Sequence, residues 1–148
     1  MSPRRLPYVA VCVLALCGAV VPLRAEALFA HQTLSELRTS SALIVTGHVS
    51  AATPGAGHDL PGKDFLTLVI DRVLVGDLAG DAVPLAVPAR DGPVSSTDIF
   101  YAEGTSGLWF LRARTTAEGR VYLADTPQRF VPAAEAAEVI RALKAMPD

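Results

Sequence analysis

The sequence predicts a mainly β protein: a five-stranded, partly open barrel with a short N-terminal helix and an amphipathic C-terminal helix, behind an export signal. Three observations carry this. Five short apolar segments lie between Leu43 and Ala124, separated by Gly, Pro and Asp turns. The second segment loses its alternation midway, as a bulged strand does. Helical periodicity is confined to two stretches, Thr33–Arg38 and Pro132–Met146.

The first 27 residues read as a signal peptide. Arg4 and Arg5 supply positive charge, Leu6–Val21 is almost wholly apolar, and Ala25-Glu26-Ala27 presents small residues where signal peptidase needs them. Cleavage is expected after Ala27, with Ala25 as the alternative. An uncleaved membrane anchor would use Leu6–Leu23, close to the roughly 18 apolar residues a spanning helix needs, but Pro7 and Pro22 pinch both ends. Leu14-Ala15-Leu16 before Cys17 is a poor lipoprotein signal, and Pro7-Tyr8 after the arginine pair a poor twin-arginine one.

Residues 28–148 then form one domain. Thr33 and Glu36 stand at capping-box spacing, with Leu34 and Leu37 on the inner face of a short helix. In the first strand, Leu43–Ala51, Val45, Gly47, Val49 and Ala51 share one face and Thr46, His48 and Ser50 the other. Gly47 has no side chain to pack on that inward face, which suits a bend at a barrel corner. Ala52–Asp64 is a long polar connection containing Pro54-Gly55 and Pro61-Gly62.

The second strand, Phe65–Val75, runs Leu66, Leu68, Ile70 in phase and then breaks it at Asp71-Arg72. A bulge there would return Val73 to the core face. Val83–Val87 is a short third strand, read as an edge because Pro84 and Pro88 cannot donate to a ladder. Gly107–Ala113 carries Leu108, Trp109, Phe110 and Leu111 in succession, so both of its faces are covered. Arg120–Ala124 alternates Val121, Tyr122 and Leu123, and the last three strands read as a meander. In the final helix Ala136, Val139, Ile140 and Leu143 form an apolar stripe. Glu135, Glu138, Arg141 and Lys144 face solvent, and Pro132 suits the first turn.

Five strands, a bulged second strand and a helix describe a barrel of the OB type. Ser41–Val49, Val69–Asp77, Glu103-Gly104 and Leu108–Leu111 together resemble the barrel core of small secreted bacterial proteins of unknown function. That core is in turn similar to netrin-like modules and the tissue inhibitors of metalloproteinases. The resemblance covers roughly Leu34–Leu123. It implies the barrel, and it makes an inhibitor-like module acting on a secreted peptidase an alternative function. Those inhibitors hold their target's zinc through an N-terminal cysteine, and here Cys12 and Cys17 both leave with the signal.

Loss of both cysteines leaves no thiol or disulfide chemistry, so packing alone must stabilise the domain. The mature chain keeps 10 basic and 14 acidic residues, a formal charge of about −4. Without basic clusters it is a poor match for nucleic acid, and no stable membrane insertion is expected once the signal is removed.

Candidate chemistry is thin. His48 lies on the polar face of its strand with Thr46 and Ser50, and His58-Asp59 with Asp64 offers a mixed nitrogen/oxygen set, short of the ligands zinc wants. His31 sits near the new N-terminus. Gly104-Thr105-Ser106-Gly107 lacks the spacing of a nucleophile elbow. Asp77–Asp81 has too few oxygen ligands for a calcium loop. Trp109 and Phe110 are adjacent, hence on opposite faces, and read as core rather than a stacking platform. No catalytic, cofactor-binding or metal-binding residue is assigned. The expected role is an exported, non-catalytic binding or interaction domain for a protein or other envelope or extracellular ligand, secreted or periplasmic. A small hydrolase is the remaining alternative.

Overall fold

The computed structural model describes residues 30–50 and 60–147. Residues 1–29, which hold the expected signal segment with Cys12 and Cys17, residues 51–59 and Asp148 lie outside them. The described elements are α1 (Leu34–Thr39), β1 (Leu43–Val49), β2 (Lys63–Val75), β3 (Ala82–Pro88), β4 (Ser106–Thr116) and β5 (Gly119–Leu123), then a 3-10 turn (Pro127–Arg129), β6 (Phe130–Pro132) and α2 (Ala133–Ala145).

The barrel is closed, not partly open. β1 pairs antiparallel with both β2 and β4, β2 pairs with β3, β5 pairs with β4, and a parallel β3–β5 contact completes the ring. The expected meander is therefore wrong. The connection from Ala89 to Thr105 carries the chain to the far side of β1, and β5 returns between β3 and β4.

Nor is β3 an edge. Ile70 N–H donates to Asp81 at 2.7 Å and Ala89 N–H to Gly62 at 3.1 Å, so the odd-numbered residues of β3 direct their backbone groups at β2. Strand alternation turns Pro84 and Pro88 toward β5. Parallel pairing there is confined to Leu85 with Tyr122 and Ala86 with Leu123, between the two prolines. The missing donors shorten a junction instead of ending the sheet.

β2 bends through two irregularities. Gly47 opposes Ile70 while Thr46 opposes Arg72, leaving Asp71 as the extra residue; Val45 opposes Val73 while Ile44 opposes Val75, leaving Leu74 as a second. The first falls where the broken alternation places it. Past the first, Val73 opposes the core residue Val45, as the bulge predicts, yet it is 38% exposed, while Leu74 and Val75 pack with the helices. At the first bend a side chain on Gly47 would collide with the Val69 carbonyl, so close backbone approach makes glycine obligatory.

Alternation sorts the apolar residues into layers. Leu43, Val45, Leu66, Leu68, Leu85, Trp109, Leu111 and Tyr122 fill the barrel. Ile44, Leu108 and Phe110 point outward from the same strands and meet Leu37 of α1 and Ala136 and Leu143 of α2. Both faces of β4 are thus covered, and α2 packs on the barrel wall through the expected stripe. Val121 and Leu123 join Phe65 and Ala86 in a third, smaller cluster, so Tyr122 is the inward residue of β5.

β6 and the turn before it are absent from the sequence reading. Three residues pair with Gly107–Trp109 and lead directly into α2, whose N-cap is Pro132. A side chain on Gly107 would strike the Val131 carbonyl, so this docking also needs glycine.

α1 is held by a capping box. Thr33 N–H donates to Glu36 Oε2 at 2.7 Å and Glu36 N–H to Thr33 Oγ1 at 3.2 Å. The Thr33 backbone bond, and after it the hydroxyl bond, lowers the Glu36 carboxyl below its ordinary range. A lowered folded-state value means the cap contributes above the ordinary glutamate range and is lost as pH falls through the folded value. Acid titration by NMR should therefore move the Thr33 amide resonance together with Glu36 while the barrel amides stay in place. An unmoved Thr33 resonance would remove the box.

Candidate functional site

The sequence candidates do not converge. His48 Nδ1 stands 3.5 Å from Asp71 Oδ1, across the first β2 bulge, with both side chains about half exposed. His58 and Asp59 lie outside the described residues, and Asp64 accepts the Arg90 amide at 2.9 Å across a strand end. His31 is exposed beside the capping box. Gly104 occupies a turn with positive φ, and Ser106 merely starts β4. Gly80 turns the Asp77–Asp81 connection. Among the described residues no three His, Cys, Asp or Glu side chains are grouped to hold a metal ion, and no helix is long and apolar enough to cross a membrane.

Trp109 is core. Its indole N–H donates to the Gly47 carbonyl at 3.0 Å, and its ring meets Tyr101 and Phe130 at 4.8 and 4.4 Å between centroids. Tyr101 donates its hydroxyl to the Ala124 carbonyl at 2.8 Å; burial, and then the charge of Asp125, pushes its pKa above the ordinary phenol value.

One buried cation was missed altogether. Arg129 is 2% exposed on a turn between β5 and β6. Its guanidinium donates to Ser40 Oγ at 2.8 Å, Ser41 Oγ at 3.2 Å and the Phe110 carbonyl at 3.2 Å. Asp125 lies 3.6 Å from its Nε and 3.4 Å from Arg112. Burial lowers the Arg129 pKa and Asp125 partly offsets this, leaving the group charged at neutral pH. The cluster bolts the end of α1, β4 and the 3-10 turn together, although Arg129 Nε and Asp125 Oδ1 are buried without a hydrogen bond.

The concave feature with a chemical bias lies elsewhere. A groove of about 240 Å³ runs between the C-terminal half of α2, the end of α1 and the second half of β2. Val73, Leu74, Val75, Ile140, Leu143 and Met146 supply its apolar lining, and Arg38, Arg72 and Lys144 its charge, with no acidic residue among them. Arg38 donates to the Pro147 carbonyl at 2.9 Å and so ties down the end of α2. Arg72 and Lys144 are exposed, and neither has an ion-pair partner among the described residues. A second hollow of about 290 Å³ below the β3–β4 connection mixes Lys63 with Asp98 and Asp125, so its charge is balanced locally.

The groove was missed because its parts come from three distant segments. Arg72 looked like one half of a bulge and Lys144 like a solvent-facing helix residue. The one available signal was the apolar pair Val73-Leu74 directly after Arg72. No protein-family model matches the chain, and neither a curated protein nor a solved structure matches it.

Proposed function

We propose that this is an exported, non-catalytic binding domain built on an OB-type barrel, and that it holds its ligand in the groove between α2 and β2. The ring order β1-β2-β3-β5-β4-β1, with β3 and β5 parallel, supports the OB assignment. One observation carries the binding site: uncompensated Arg72 and Lys144 beside a continuous apolar lining, in a chain whose overall formal charge is −2. Apolar surface gains from being covered and two exposed cations gain from an anion, so the ligand is apolar and negatively charged.

Export places that ligand in the envelope or outside the cell. Both points are tested by expressing the protein in a bacterial host with a photo-crosslinking amino acid at Val73, and in a control at Arg114 on β4. Intact mass of the material from the envelope fraction should begin at Leu28 and carry a discrete adduct from Val73 but not from Arg114. A chain still beginning at Met1 in the cytosol overturns export. No adduct at Val73, or the same adducts from both positions, overturns the groove.

A further inference from the structure

The connection between β3 and β4 holds one aromatic side chain out in solvent. Phe100 is 46% exposed, and among the described residues it is the only aromatic of the large exposed apolar side chains. Its chain neighbours point the other way. Tyr101 is a core residue: its ring lies 4.8 Å from Trp109 and 5.7 Å from Phe130, and its hydroxyl donates to the Ala124 carbonyl at 2.8 Å. Ile99 packs against the same core. This in-out-in alternation is that of an extended chain, and residues 98–102 contain no turn, no bend and no positive φ.

Both ends of the stretch are pinned. Ahead of it, Asp98 N–H donates to the Ser95 carbonyl at 3.0 Å, and the Asp98 carboxylate accepts the Ser95 amide at 2.7 Å. Behind it, Thr105 N–H donates to the Ala102 carbonyl at 3.1 Å. Gly104 N–H then donates to the Val49 carbonyl at 2.8 Å, and Val49 N–H to the Thr105 carbonyl at 2.9 Å. Between these turns the backbone N–H and C=O groups of residues 99–101 make no hydrogen bond among the described residues. The segment is extended, fixed and unpaired, with a large apolar side chain at its centre.

Its chemistry selects what it fits. Asp91, Asp98 and Glu103 outnumber Arg90 along the connection, and anionic headgroups would repel them, so a bilayer is disfavoured. An apolar pocket alone would take the Phe100 ring and leave the main chain beside it unpaired. A peptidase's substrate cleft takes both. Such a cleft pairs with an extended main chain and encloses one side chain in a slot, which is apolar in enzymes of the chymotrypsin type. The geometry points to inhibition: Phe100 enters the apolar slot of a chymotrypsin-like serine peptidase and its N–H and C=O pair with the cleft, while Ile99 and Tyr101 hold the segment from behind. A segment already fixed in its bound shape loses little conformational entropy on docking. The chain after Phe100 is bolted through Tyr101 and cannot drift away as a cleaved product does, so the contact blocks the cleft. None of residues 98–102 lines the groove between α2 and β2, and the two sites stand or fall separately.

The test is inhibition of chymotrypsin and of trypsin by the purified protein, read with chromogenic peptide substrates, while intact mass follows the protein through the incubation. Chymotrypsin should be inhibited competitively and trypsin spared. F100A should inhibit chymotrypsin more weakly by about thirtyfold or more, the usual loss when a central anchoring side chain is truncated. F100K should release chymotrypsin and inhibit trypsin, whose acidic slot takes a basic side chain. Both changes fall on a solvent-facing side chain, and each variant should keep the wild-type melting temperature. No inhibition of chymotrypsin by the folded wild-type protein overturns the proposal, and so does inhibition that F100A leaves unchanged. Rapid cleavage between Phe100 and Tyr101 without inhibition overturns it too, because the segment is then a substrate. Trypsin inhibited as well as chymotrypsin by the wild-type protein, or an F100K protein that still blocks chymotrypsin, removes Phe100 from the slot.

Discussion

Replacing Arg129 by methionine is expected to destabilise the protein by about 3–5 kcal/mol, the usual result of removing one member of a buried charged network. Methionine fills much of the volume, so the cost comes from polar groups left behind. Ser40 and Ser41 lose their guanidinium donor, and the Phe110 carbonyl loses its bond at 3.2 Å in a strand with both faces covered. Each such orphan costs about 1–3 kcal/mol where water cannot reach it. Asp125 suffers less, because its carboxylate is a third exposed and retains Arg112. Lysine should recover only part of the loss, since one ammonium cannot span acceptors on three segments. Urea denaturation of R129M, R129K and D125N would rank them, with D125N mildest. An R129M protein within 1 kcal/mol of wild type would mean that the bolt does not hold α1 to β4.

Trp109→Ala should be more damaging still. Truncating a fully buried aromatic costs about 3–5 kcal/mol, and here it also removes the indole donor to the Gly47 carbonyl, beside the first β2 bulge. Tyr101 and Phe130 would lose the ring they both pack against. Domains of this size hold about 5–15 kcal/mol in total. With no cysteine after Cys17, no disulfide limits the unfolded ensemble of the barrel. W109A is expected to show no cooperative thermal transition at 37 °C, with near-UV circular dichroism lost. Trp109→Phe separates the two contributions: it keeps most of the packing, loses the indole donor, and should cost about 1–2 kcal/mol. A W109A protein that still melts cooperatively above 50 °C would show that the barrel core is redundant at this position.

Local chemistry was readable wherever neighbours in the chain were also neighbours in space. Thr33 and Glu36 fall three residues apart, and they cap each other. Asp71-Arg72 broke a period-two pattern that any regular strand must keep, and Asp71 is the bulged residue. Leu108–Leu111 had no polar face, and its alternate residues enter two different packed layers. The stripe on α2 is buried against β4 for the same reason.

What was missed depends on partners far away in the chain. Val73 opposes the core residue Val45 as the first bulge predicts, but its 38% exposure and the second extra residue, Leu74, are visible only in the tertiary structure, the latter in the register with Ile44 and Val45. Pro84 and Pro88 were known not to donate, but which neighbour they faced follows from pairing with β2. β6 is too short for any periodicity, and Gly107 makes room for it from 24 residues upstream of Val131.

The sequence by itself determined the class of fold, the two helices and the identity of most core residues, because burial follows apolar periodicity along one segment. Only the tertiary structure decided that the ring closes, that Arg129 is buried among serines, and that Arg72 and Lys144 flank one apolar groove. Those properties are set by distances between segments some 70 residues apart, and no local pattern encodes such a distance.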